Sequence, residues 1–241
     1  MKRFLTFLVG FTGVITAFAG ISYTAGTVDF GNIIEEDGLK TVRIYVRNDS
    51  TTPSALLKVR PSCGCTAADF MKEEFAPGDS AWIDLTYNPY RRPGSFEKTV
   101  RVYPVEGDMI RIPITGVVFA SPETIENMFP VEAGLLHLSE KTLMPVRPLS
   151  IESKNLYVDV YNSGNETVYP RIICDSEAVE AQCFPAVIPP GEKGMIGVYL
   201  NPLKESRTGN IEYTLRLYTS LSPDAEETSS PFELKVVTNK E

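Results

Sequence analysis

The sequence predicts an all-β protein: two tandem immunoglobulin-like β-sandwich domains following a signal peptide. Three observations carry this expectation. Apolar and polar residues alternate with period two in run after run, which puts successive side chains on opposite faces of a strand. Turn signals separate these runs at roughly 8–12-residue spacing, the rhythm of a sandwich or barrel. The two halves of the chain also align on one another, and each repeat has the size of an immunoglobulin-like unit, about 90–100 residues.

In order along the chain, Lys2 and Arg3 precede an uncharged apolar run from Phe4 to Phe18, which ends in Ala17-Phe18-Ala19. A short positive head, an apolar middle and small residues before a cleavage point are the three parts of a secretory signal peptide. The run is shorter than the roughly 20 residues a spanning helix needs. No cysteine follows it to take a lipid. Residues 1–19 are therefore expected to be removed, leaving an exported chain, periplasmic or at the cell surface, with no membrane span.

The strand runs follow. Thr41 to Arg47, Trp82 to Tyr87, Thr99 to Tyr103 and Met109 to Ile114 alternate in the first half, and Tyr157 to Tyr161 and Leu215 to Tyr218 in the second. Asn48-Asp49-Ser50, Pro77-Gly78-Asp79 and Asn88-Pro89 punctuate the first set, Asn162-Ser163-Gly164 and Pro190-Gly191-Glu192 the second. Val28 to Asn48 aligns without gaps on Thr142 to Asn162, and Ala76 to Pro89 on Pro189 to Pro202. Phe96 to Tyr103 answers Ile211 to Tyr218 after a two-residue insertion. Asn48 and Asn162 should each close a strand and enter a turn, since asparagine bonds its own backbone and tolerates left-handed φ. Pro-Gly makes a tight reversal, and Asn-Pro ends a strand because proline cannot donate to a ladder. The expected domains are residues 24–119 and 133–241, joined by a linker at 120–132 in which Thr124 to Met128 could form one helical turn.

Composition narrows the function. A formal net charge of −8 disfavours phosphate-backbone binding, so no nucleic-acid partner is expected. Hydrophobic residues make up 43% of the chain, enough for ordinary cores without metal or disulfide support. No phosphate loop, metalloprotease helix or serine nucleophile elbow occurs, and no cofactor is implied. His137, the only histidine, is expected on the outer face of a strand, and Arg91-Arg92 and Glu226-Glu227 as solvated loop charges.

One cluster could carry chemistry: Ser62-Cys63-Gly64-Cys65-Thr66, absent from the second repeat. Cys63 and Cys65 have four readings. They could form a strained disulfide or redox dithiol, with glycine allowing the sharp turn. They could be half of a soft-metal site for Cu(I) or Zn. One could be an acyl-transfer nucleophile, although no base lies near. Or they are a structural strand-end motif. Cys174 and Cys183 read as neighbours on adjacent strands, either free thiols or a cross-strand disulfide contributing about 2–3 kcal/mol. Asp49-Ser50-Thr51 and Asp79-Ser80-Ala81 fit a short bacterial O-glycosylation pattern, with Ser50 and Ser80 as acceptors.

Val28-Asp29-Phe30-Gly31-Asn32-Ile33, the alternation to Asn48, Ser62-Cys63-Gly64-Cys65-Thr66 and Ala76-Pro77-Gly78 together resemble a bacterial family. It is domain of unknown function fifteen seventy-three. The resemblance covers roughly residues 25–119. It implies export, an immunoglobulin-like sandwich related to ASPM–SPD2–hydin and major-sperm-protein modules, and an interaction role, with no settled activity. The function expected is therefore a non-catalytic binding protein for an unknown protein or cell-surface partner. The alternative is a thiol redox or copper-handling protein using Cys63 and Cys65.

Overall fold

A computed structural model describes residues 20–145, 147–150, 152–224 and 230–240. The expected signal peptide and the Glu226-Glu227 pair lie outside the described residues. The first half runs β1 (Ile21–Ser22), β2 (Val28–Ile34), β3 (Lys40–Asn48), β4 (Leu56–Pro61), β5 (Thr66–Phe70), β6 (Ser80–Tyr87), β7 (Gly94–Pro104) and β8 (Ile110–Phe119). A short helix α1 (Pro122–Met128) follows. The second half runs β9 (Val131–Ala133), β10 (Leu136–Leu138), β11 (Thr142–Leu143), β12 (Lys154–Tyr161), β13 (Tyr169–Cys174), β14 (Val179–Phe184), β15 (Lys193–Leu200), β16 (Gly209–Ser220) and β17 (Phe232–Lys240).

These strands form four sheets. Two, in the orders β1-β3-β6-β5 and β2-β8-β7-β4, make the first sandwich; β14-β15-β12-β10-β9 and β11-β17-β16-β13 make the second. The period-two pattern decides which side chains meet. Along β6, Ala81, Ile83, Leu85 and Tyr87 are all buried while the residues between them are not. Two buried clusters result that share no residue: one built from Ile21 to Val118, the other from Ala133 to Val236.

The repeat extends to backbone pairing. In each sandwich one strand runs parallel to its neighbour within otherwise antiparallel sheets, β2 beside β8 and β11 beside β17. Asn48 and Asn162 are fully buried and do the same work. Asn48 Nδ2 donates to the Thr52 and Phe75 carbonyls, and Asn162 Nδ2 to those of Glu166 and Ile188. Their Oδ1 atoms accept from the Ser50 and Gly164 amides. Their own carbonyls accept from Gly78 and Gly191, the positive-φ glycines of the two Pro-Gly turns. A buried amide with every hydrogen-bonding group satisfied specifies one turn geometry, and the chain builds it twice.

Contacts between the sandwiches centre on β8, α1 and the start of β15. The Ala120 amide donates to the Tyr161 hydroxyl at 2.9 Å, and Phe129 stacks on Tyr161 with ring centroids 5.3 Å apart. The Ser95 amide donates to Glu192 Oε2 at 2.8 Å. Ser121 caps α1 by accepting from the Thr124 amide, with Pro122 in the first turn. The linker expected at 120–132 thus carries a seven-residue helix and the first strand of the second sandwich.

Candidate functional site

Ser62-Cys63-Gly64-Cys65-Thr66 is the crossover from β4 in one sheet to β5 in the other, and each residue has a separate task. The Ser62 amide donates to the Thr99 carbonyl, and Ser62 Oγ accepts from the Thr99 amide, so the loop is tied to β7. Cys63 and Cys65 are joined in a disulfide with Cα atoms 5.2 Å apart. The Thr66 hydroxyl lies 3.6 Å from Cys63 Sγ and 3.8 Å from Cys65 Sγ, and the Cys65 carbonyl accepts from the Asn88 amide. Cys65 is buried, Cys63 half-buried and Gly64 exposed. Glycine was expected to make a sharp turn possible. Gly64, however, has no left-handed φ, and apart from its chain neighbours no heavy atom lies within 4 Å of where a Cβ would stand. Gly64 is the exposed tip of the loop, and the space around it is open.

Beside the ring is a pocket of about 550 Å³, lined by Cys63, Gly64, Cys65, Tyr87, Pro93, Ser95 and Phe96 and by four cations, Arg91, Arg92, Lys98 and Lys193. Tyr87 and Phe96 stack with centroids 4.0 Å apart and form an aromatic wall. Lys193 comes from the second sandwich; its Cε would be 3.0 Å from a Cβ at Gly94, so it lies against that glycine. Neither Lys98 nor Lys193 has an ion-pair partner among the described residues. Arg92 donates to the Tyr90 carbonyl at 2.8 Å, and Arg91 lies 3.5 Å from the exposed Glu123.

Arg91 is the one non-glycine with left-handed backbone among the described residues, at φ 53. That conformation costs an ordinary side chain about 1–2 kcal/mol and must be held from outside. Glu35, only 6% exposed, does the holding. Its Oε1 accepts from the Arg91 amide at 2.7 Å and from the Thr124 hydroxyl at 2.7 Å, and its Oε2 from the Ser121 amide at 2.8 Å. Burial pushes the Glu35 carboxyl up, but these donors outweigh it and hold it below its ordinary value. One buried carboxylate therefore fixes the pocket's rim and the start of α1 together.

The second repeat is an internal control. Thr66 pairs with Tyr87, and the aligned Val179 pairs with Leu200, so Ser176 and Ala178 stand where Cys63 and Cys65 do. There the Ala178 amide donates to Ser176 Oγ, and the Ala178 carbonyl accepts from the Asn201 amide as the Cys65 carbonyl does from Asn88. The same turn is made without a disulfide. The corner pocket beside it is smaller, about 290 Å³, and its cations are paired. Arg216 binds Asp175 through two hydrogen bonds of 2.6 and 2.7 Å, and Arg207 binds Glu205 through two of 2.8 and 3.0 Å.

The remaining sequence-predicted residues do not join this site. Of the two readings of Cys174 and Cys183, the structure has the free thiols and not the disulfide. The reason is a change of sheet: β13 pairs with β16, whereas β14 pairs with β15. Cys174 ends β13, and Cys183 lies four residues into β14, roughly 13 Å further along at strand rise. Burial pushes the Cys183 thiol up to about 11. Ser50 Oγ is engaged with Asn48 Oδ1 at 2.6 Å, while Ser80 is exposed at the start of β6. His137 is half-buried on β10, opposite Tyr161. Arg91 and Arg92 are exposed loop residues, as expected, and they also line the pocket. Sequence reasoning also missed Glu35, Lys98 and Lys193. Nothing local in the sequence marks them, and only the fold brings positions so far apart in the chain together.

No helix among the described residues is long and apolar enough to cross a membrane, and no group of three or more metal-ligating side chains occurs among them. No curated protein matches the chain. Among solved structures it is similar to a protein of unknown function from Porphyromonas gingivalis W83, at 14% identity over 91% of this chain and 99% of that one, with a TM-score of 0.38. It is also similar to the CupB2 chaperone of Pseudomonas aeruginosa, at 11% identity over 82% and 99% of the two chains, TM-score 0.29. The human CEP192 PapD-like domain 7 is similar at 6% identity over 45% and 87%, TM-score 0.36. Residues 21–118, the first sandwich with its disulfide loop and most of its cationic pocket, match the family described as protein of unknown function (DUF1573).

Proposed function

We propose that the protein is an exported, non-catalytic binding protein whose partner site is the corner pocket of the first sandwich. The observation that carries this reading is the pocket's contrast with its counterpart. One fold is built twice in one chain, yet only the first copy has a disulfide, an aromatic wall and two lysines without ion-pair partners around a larger cavity. The second copy makes the same turn with one serine, so folding alone does not require those features. The lining holds no histidine or carboxylate to act as a base, which suits binding rather than turnover.

The disulfide itself supports a second reading, thiol exchange at Cys63 and Cys65. Closing so short a ring restricts the unfolded chain by only about 1.5 kcal/mol in the loop-entropy picture, which leaves room for a role beyond stabilisation. Copper handling through these sulfurs would need the bond reduced first, since thiolates are the ligands. Cross-linking in intact cells separates the readings. With wild-type protein we expect a defined partner adduct, lost in Lys98→Glu/Lys193→Glu and retained in Cys63→Ser/Cys65→Ser. Exchange chemistry predicts the reverse dependence, together with a reductant-sensitive mixed disulfide trapped on Cys63 in Cys65→Ser.

A further inference from the structure

Resting on the reading of this pocket as a binding site, we propose that its ligand is an acidic peptide segment, held through two or more carboxylates by Arg91, Arg92, Lys98 and Lys193. The chain carries a net charge of −8, yet four cations converge on this corner with no carboxylate in the lining. Glu123 lies 3.5 Å from Arg91 and Glu192 accepts from the Ser95 amide, but Lys98 and Lys193 have no ion-pair partner among the described residues, and like charges so gathered repel one another. At the equivalent corner of the second repeat the offset is built in: Asp175 binds Arg216, and Glu205 binds Arg207. The first repeat lacks these acids, and a partner's carboxylates would take their place.

Geometry favours a peptide over a single small anion. The cavity of about 550 Å³ exceeds what one inorganic ion fills, and its cations surround an apolar floor of disulfide, Tyr87, Phe96 and Pro93. Glutamate and aspartate side chains offer both parts: a methylene stem for the floor and a carboxylate for a guanidinium or ammonium. The acidic body around the pocket repels a continuous polyphosphate but tolerates a short segment with a few charges. Lys193 makes the site bipartite, since the second sandwich delivers it across Gly94.

The test is fluorescence anisotropy with a labelled peptide of alternating glutamate and alanine, against the same peptide with glutamine. The protein is the mature chain, at low and high salt. The proposal predicts binding of the glutamate peptide alone and weakening with salt. It further predicts a loss of about tenfold or more in Lys98→Gln/Lys193→Gln with an unchanged thermal melt, and no loss in the exposed Lys58→Gln. Equal binding of both peptides would overturn it, as would indifference to the double substitution or tighter binding of a single-stranded oligonucleotide. If the glutamate peptide fails while the cellular adduct of wild-type protein persists, the acidic chemistry is wrong and the binding reading stands. If both are absent, both fail.

Discussion

Glu205 shows how much a single side chain can stake on its protonation. It is buried, and it accepts from the Arg207 amide and guanidinium and from the Tyr213 hydroxyl at 2.6 Å. The Arg207 guanidinium is the largest influence; burial works against it, and Tyr213 and the Arg207 amide add to it. Together they hold the carboxyl at about 2, below an ordinary value near 4.5. A carboxylate depressed on folding contributes stability that is complete above its unfolded value and lost as pH falls toward its folded one. Thermal melts should therefore lose stability progressively between about pH 5 and pH 2, and Glu205→Gln should be destabilised at neutral pH with a flatter acid limb. Parallel acid limbs in the two proteins would contradict this assignment. Side chains of this kind were not legible in the sequence: nothing local distinguishes Glu205 from a solvated glutamate, because its burial depends on β16 arriving from further along the chain. Asn48 and Asn162 were legible, because an asparagine before a turn bonds its own neighbourhood and that chemistry is local.

At the scale of elements, two loops control the pocket by different means. The loop at Cys63–Cys65 is tied at both ends, through Ser62 to Thr99 and through the Cys65 carbonyl to Asn88, and its tip is bare. The loop at Arg91 is held by Glu35, which also grips the start of α1. Glu35→Ala leaves three donors without their partner and should cost about 1–3 kcal/mol or more. It should also speed amide exchange at Arg91 and Ser121 more than at strand amides of either core. Hydrogen exchange by NMR reads both, and uniform acceleration across the protein would show that Glu35 is only one more stabilising contact. The strands themselves were legible because period two is written into the chain. Whether Cys174 and Cys183 bond was not legible, because a passage from one sheet to the other leaves no such mark, and two cysteines nine positions apart look the same in either case.

For the whole molecule, duplication supplies the argument that no single site could. Two sandwiches with separate cores share turns, parallel edge strands and buried asparagines, so differences between them are choices the fold did not force. One of those differences is the corner pocket, and Lys193 and Glu192 bring the second sandwich into it. The most direct measurement places a photo-crosslinking residue at Ser95, inside the first corner, and separately at Asn210, its counterpart in the second repeat. Both versions are irradiated in the intact cell. The account predicts a discrete partner adduct from Ser95, absent from Asn210. Equal adducts from both positions, or an adduct from Asn210 alone, would contradict it.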